Sequence, residues 1–156
     1  MRLLKIDRVD RRLLEILRDD GRVTNTDLAD RVALSPSPCL RRVKRLESER
    51  VIRGYGARLD PKRLGWGITA FVNLNIEKHR KSDAEFFEKE LAGIERVVWC
   101  KALAGPWDLL LQVVARDFDD YYELVQVLGG LEYVKDIQST IVIGEIKPDN
   151  GLPVDG

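Results

Sequence analysis

The chain has 156 residues, 44% hydrophobic and 33% charged, and its 26 Lys+Arg balance 26 Asp+Glu. That composition fits one ordinary domain or two small ones, and it carries enough apolar side chains to exclude intrinsic disorder. The zero net charge is divided: residues 1–65 hold 17 basic against 10 acidic residues, and residues 66–156 hold 9 against 16. A basic module joined to an acidic one points to an anionic partner for the first.

Two cysteines, Cys39 and Cys100, and one histidine, His79, are too few for a disulfide framework or a four-ligand zinc site. No metal and no cofactor is expected. The stretch Met1–Asp7 turns charged too early for a signal peptide. The longest apolar runs, such as Leu109–Leu111, fall far short of the ~20 residues that span a bilayer. The expectation is a soluble cytoplasmic protein that avoids membranes.

In chain order, the first element is a helix. Asp7 caps it, Asp10 sits in its first turn, and Val9, Leu13, Leu14, Ile16 and Leu17 make an apolar stripe at helical spacing. Gly21 is expected to end it in the left-handed conformation. A short second helix follows, capped by Thr24, with Leu28, Ala29 and Val32 facing inward. After a tight break at Ala33-Leu34, Ser35 caps a third helix whose first position is Pro36. Leu40, Val43 and Leu46, three apart, are expected to form its buried stripe. Helix, short turn and capped helix over about residues 25–44 make a helix-turn-helix. Residues 51–60 read as an extended piece broken by two glycines, and Asp60-Pro61 with Gly65-Trp66-Gly67 marks a linker. The domain boundary is placed near residue 65, giving domains 1–65 and 66–156.

The second half reads as strand 67–77, helix 82–92, strand 96–103, strand 108–115, helix 117–128 and strand 134–147, with a loose tail from Pro148 to Gly156. This βαββαβ order is the ferredoxin-like plan. The fold class is therefore α+β. One face of the sheet is covered by the two helices. The other, expected to present Phe71, Trp99, Leu110 and Ile141, needs a cover, so at least a homodimer is expected.

The third helix carries the strongest functional signal. Ser35, Ser37, Pro38, Arg41, Arg42, Lys44 and Arg45 form the candidate DNA-binding set, with four cations within five residues. Such a helix can enter a major groove, its leading residues at base edges and its cations at phosphates. A solvated charged face is the plainer reading of a charge run. Its position on the second helix of a capped helix-turn-helix favours duplex DNA. Cys39 reads as a small packed residue, although neighbouring arginines could lower its pKa.

The pattern Ile6-Asp7-x-x-Asp10-x-x-x-Leu14-x-x-Leu17-x-x-x-Gly21-Arg22 is followed by Leu28-Ala29, Leu34-Ser35-Pro36-Ser37-Pro38-Cys39-x-x-Arg42-x-x-x-Leu46-Glu47 and Ile52-x-Gly54-Tyr55. Together with Gly105-Pro106-Trp107-Asp108, Tyr121, Ser139-Thr140-Ile141-Val142 and Glu145-x-Lys147, it closely resembles the Lrp/AsnC feast/famine transcriptional regulators. The resemblance implies an N-terminal winged helix-turn-helix, and a C-terminal domain that dimerises, assembles further into even-numbered oligomers and senses amino acids. Two positions depart from the family pattern. Ala33 stands where a glycine is usual, which suits only a backbone that is not strongly left-handed. Pro106 replaces the first acid of the turn.

No catalytic constellation is present, and His79 sits in a basic loop, Lys78-His79-Arg80-Lys81. The protein is read as a binder rather than an enzyme. The candidate effector set is Gly105, Trp107, Asp108, Ser139, Thr140 and Ile141. Asp108 can meet an ammonium and the backbone at Gly105 a carboxylate, with Trp107 and Ile141 supplying apolar contact and Ser139 and Thr140 hydroxyls. The plainer reading is that Asp108 caps a hairpin and Trp107 packs in an interface. The resemblance places the pocket between subunits, and the single acid favours an amino acid with an apolar side chain. Two alternatives remain: an architectural DNA-organising protein without an effector, and a tetrapyrrole decarboxylase-like enzyme, which shares the fold.

Overall fold

The computed structural model describes residues 5–77 and 81–154, with the side chains of 81–86 left aside. His79, the first four residues and the side chain of Phe86 therefore lie outside the described residues. The chain divides into two compact units, Met1–Arg58 with Lys147–Gly156, and Leu59–Ile146.

The first unit is built on three helices, α1 (Arg8–Asp19), α2 (Asn25–Arg31) and α3 (Pro36–Ser48). A capping box opens α1: the Asp7 carboxylate accepts from the Asp10 N–H at 2.8 Å, and the Asp10 carboxylate accepts from the Asp7 N–H at 3.2 Å. Thr24 caps α2 through the Asp27 N–H. Ser35 has the extended cap backbone, but its side chain makes no cap bond, so Pro36 in the first turn does more to start α3. Leu13, Ile16, Leu28, Ala29, Cys39 and Val43 form the core.

Four local expectations change. Gly21 is not left-handed; the Tyr55 ring lies against it, 3.3 Å from where a Cβ would stand. Leu40 is not in the buried stripe but 42% exposed, and Cys39 takes its place. Burial alone pushes the Cys39 thiol up, so its arginine neighbours do not activate it. Ala33 is left-handed at φ 54°, and so is Arg50 at φ 56°. These two residues directly follow the C-caps of α2 and α3, Val32 and Glu49, where glycine is the unstrained choice.

Past α3 the chain forms no strand ladder of its own, and it is tied back locally. Val51 and Ile52 donate to the Leu46 carbonyl at 2.9 and 3.1 Å. The Tyr55 hydroxyl donates to Glu47 at 3.0 Å, and burial, then that carboxylate, push its pKa up to about 12. The tail is less loose than its composition suggests. Gly151 lies against the Arg18 stem, and the Arg18 guanidinium donates to the Leu152 carbonyl at 3.4 Å.

The second unit contains β1 (Ile68–Ile76), α4 (Lys81–Ala92), β2 (Val97–Ala102), β3 (Leu109–Ala115), α5 (Phe118–Gly129) and β4 (Val134–Ile141). The sheet order is β2-β3-β1-β4, antiparallel throughout. Alternation in β1 decides the faces. Ala70, Val72 and Leu74 are buried with Leu111, Val113, Phe87, Leu91, Leu124 and Leu128 beneath the helices. Phe71 and its neighbours point the other way. The last strand ends at Ile141 rather than residue 147, and Ile143 and Ile146 stand fully exposed beyond it. Among the described residues, no helix is long and apolar enough to cross a membrane.

Candidate nucleic-acid and effector sites

The third helix has an inward and an outward face, and residue spacing separates them. Cys39, Val43 and Leu46 are buried. Arg42 belongs to the same stripe, because i, i+3, i+4 and i+7 share one side of a helix. Ser37, Leu40, Arg41 and Lys44 have that same spacing on the outward side, and all four are exposed. Ser35 is exposed just before them, and Pro38 is half-buried at the edge. Asn25 at the start of α2 donates to the Pro36 carbonyl at 2.9 Å, so the leading ends of the two helices are fixed together.

Arg42 and Arg45 are engaged elsewhere. Arg42 Nη1 donates to Asp7 Oδ2 at 2.7 Å and to Asp10 Oδ1 at 2.8 Å, and Arg45 Nη2 donates to Asp10 Oδ2. The Asp10 side chain is 0% exposed. A carboxylate buried to that degree is tolerable only with its charge compensated, and the two guanidiniums compensate it. The Asp10 N–H, then the Arg42 guanidinium, hold the Asp7 carboxyl below its ordinary range, while Asp7, then Asp10, raise Arg42. The seven candidate residues are therefore not one surface. Ser35, Ser37, Arg41 and Lys44 face outward with Pro38 beside them, and Arg42 and Arg45 are tied to α1.

The second candidate set is divided by the sheet. Gly105, Trp107 and Asp108 occupy the turn between β2 and β3, closed by the Leu103 N–H donating to the Asp108 carbonyl at 2.8 Å. Gly105 is exposed, and open space lies where its Cβ would be. Asp108 Oδ2 accepts the Ile76 N–H at 3.1 Å, which ties the turn to the end of β1. Thr140 pairs with Phe71 on the open face. Ser139 and Ile141 pair with Val72 and Ala70 and so lie on the helix-covered face. The Ser139 hydroxyl accepts from Tyr121 at 2.5 Å, and Ile141 packs on the core. Ile141 is thus removed from the open apolar face, because β4 registers even-numbered Ala70 against it. Between the turn and Thr140 lies β1, two strand spacings or about 10 Å across, with about 10 Å more along the strands. One chain does not bring the six residues together.

The open face carries Phe71 and Trp99, with ring centroids 5.9 Å apart, and Lys101 Nζ sits 4.6 Å from the Trp99 ring centre. Leu110 and Gln112 share it by register.

A helix-turn-helix head with a cationic outer face, joined to a ferredoxin-like α/β unit, defines a two-part DNA-binding regulator. Comparison with known proteins agrees at every level. Residues 6–53 match the family described as winged helix-turn-helix DNA-binding, and residues 69–152 match the Lrp/AsnC ligand binding domain. The leucine-responsive regulatory proteins of Klebsiella pneumoniae and Escherichia coli K12 are each 35% identical over 150 residues, covering 96% of this chain and 92% of theirs. A transcriptional regulator of Neisseria meningitidis, solved as its L-Met complex, superposes with TM-score 0.90 at 38% identity, over 97% of this chain and 98% of that one. A feast or famine regulatory protein of M. tuberculosis complexed with L-methionine gives TM-score 0.84 at 31% identity, over 95% and 99%. The chain belongs to the Lrp/AsnC family and is a transcriptional regulator of that type.

Proposed function

We propose that the protein meets duplex DNA through the outward face of α3, as a homodimer or larger even-numbered assembly, and that an apolar amino acid modulates it. The observation that carries the DNA reading is the exposed stripe Ser37, Leu40, Arg41 and Lys44. It combines a hydroxyl for base edges, an apolar group suited to a thymine methyl, and two cations for bases or phosphates. Ser35 and Pro38 complete the leading turn. Arg42 and Arg45 act from behind, holding the helix to α1. Two such heads in a dimer would meet successive major grooves about 34 Å apart. The test is a gel shift against salt. Binding should fall steeply as salt rises, because phosphate contacts release counterions, and Arg41→Ala should weaken it. Binding indifferent to salt would contradict the reading.

The open sheet face favours a second copy of the unit as its cover, since Phe71, Trp99 and Leu110 give it an aromatic and apolar centre. The effector pocket would then be completed between copies, with the Gly105–Asp108 turn of one approaching Thr140 of another. Asp108 supplies the charge for an ammonium, and the backbone at Gly105 the donors for a carboxylate. Two similar regulators were solved with L-methionine, which supports an apolar or thioether side chain. Ser139 and Ile141 act from beneath, by fixing β4. In this reading the protein is a binder rather than an enzyme and works in the cytoplasm, where the DNA is. Calorimetry with L-methionine on wild type and Asp108→Ala tests it: binding should be lost in the variant while DNA affinity persists. Equal binding by both would end the effector assignment.

A further inference from the structure

The cations of α3 fall into two pairs, and the pair turned toward α1 is not idle charge. Both oxygens of the Asp10 carboxylate are occupied, Oδ1 by Arg42 at 2.8 Å and Oδ2 by Arg45 and by the Asp7 N–H at 3.2 Å. Arg42 also reaches Asp7 at 2.7 Å. The carboxylate has no exposed surface, whereas the guanidinium side chains keep 31% and 42% of theirs. Each arginine is therefore near enough to solvent to be drawn toward a polyanion. Leaving would strand a buried negative charge, so phosphate must compete with a partner already desolvated.

We propose that Asp10 is a positioning residue for sequence discrimination: it withholds Arg42 and Arg45 from the phosphate backbone and leaves Ser37, Leu40, Arg41 and Lys44 to make the contacts. This rests on the reading that the outward face of α3 meets DNA. The physical reason is that phosphate contacts carry no sequence information directly, whereas base-edge contacts distinguish one site from another. Two further cations free to find phosphates would raise binding to arbitrary DNA more than binding to the preferred site. They would also relax the register in which the helix enters the groove.

The test uses the full-length protein and two duplexes of equal length, one selected by the wild type from a random pool and one of scrambled sequence. Affinity for each is measured across a salt series. Asp10→Asn keeps the shape and removes the charge. It should steepen the salt dependence on scrambled DNA by about one to two phosphate contacts, at a slope near 0.9 per contact. The preference for the selected duplex should fall about tenfold. An unchanged or shallower slope in a variant with wild-type circular dichroism overturns the proposal. If Asp10→Asn does not fold, Arg45→Gln decides, because it leaves Asp10 paired with Arg42. Its slope should match the wild type, and a slope shallower by about one contact would show that Arg45 was on phosphate after all. Arg41→Gln runs alongside and should lose about one contact. If no wild-type binding depends on salt, the DNA reading of α3 itself fails, and this assignment with it.

Discussion

The two units solve opposite problems of completeness. In the first, everything that shapes the candidate DNA face lies within one chain. A capping box starts α1, a buried carboxylate draws two arginines of α3 inward, and the remaining polar and basic residues are left outside. In the second, β1 separates the turn at Gly105–Asp108 from Thr140, and the unit's two helices pack on the sheet face opposite Phe71. Ion pairs between α1 and α3, 32 to 35 residues apart in sequence, sort the cations of one helix inside a single unit; in the proposed function, sheet register leaves the effector residues apart until copies assemble. Such a division suits a regulator, because a ligand shifts an assembly only by its differential affinity for the complete and incomplete pocket.

The largest effect is expected at the charged centre of the first unit. Asp10→Ala removes the only buried carboxylate among the described core residues and leaves two guanidiniums facing an emptied site. A loss of about 3 kcal/mol in the stability of the first unit is expected, read from urea unfolding. A loss under about 0.5 kcal/mol would show that the cluster does not hold α3.

Arg41 and Arg42 are neighbours in sequence and should behave unlike each other. Arg42→Ala should cost about 2 kcal/mol by exposing Asp10 to partial loss of compensation. Arg41→Ala should leave the melting temperature within about 1 °C and weaken DNA binding instead. The reverse pattern would mean that α3 is rotated about its axis relative to this account.

A gain of roughly 1 kcal/mol each is expected from Ala33→Gly and Arg50→Gly, since both residues hold left-handed backbone where a Cβ is strained. Chemical denaturation of the two variants checks it, and destabilisation by either would contradict the assigned helix ends.

The smallest effect is in acid. Asp7 and Asp120 are held below their ordinary value of 3.8, Asp7 by the Asp10 N–H and then Arg42, Asp120 by the Arg116 N–H and the Arg96 guanidinium. A depressed folded-state value contributes stability that is present above the unfolded value and lost as pH falls through the folded one. Stability should therefore decline below about pH 4, and Asp7→Asn or Asp120→Asn should flatten that decline slightly. Asp7 is half-exposed, so solvent screening keeps its share small.

Much of the fold was legible because local chemistry and periodicity agree. Asp7, Thr24 and Asp117 cap helices through their own side chains, and β1 alternates residue by residue between a buried and a less buried face. In α3 the buried stripe starts one residue earlier than side-chain size suggests. Side-chain size favours Leu40 over Cys39 as the start of the buried stripe and so turns Arg42 outward, whereas Cys39 is the buried residue. The signal was present, since Asp10 near the start of α1 needs a cation and positions 39, 42, 43 and 46 share a face. The effector set is divided between faces for a different reason. Ser139, Thr140 and Ile141 are consecutive in a strand, so they cannot share a face, and the pairing of β4 with β1 that assigns those faces is a long-range property.

In the proposed function the DNA face is complete in one chain and the effector site is not. Trp99→Glu places a charge at the centre of the open sheet face, beside Phe71, and should yield monomers by light scattering. Titrating L-methionine into that variant and into the wild type by calorimetry is the direct test. Heat of binding is expected for the wild type and none for the monomer, while the monomer keeps salt-sensitive contact with duplex DNA. A monomer that binds methionine with wild-type affinity would contradict it.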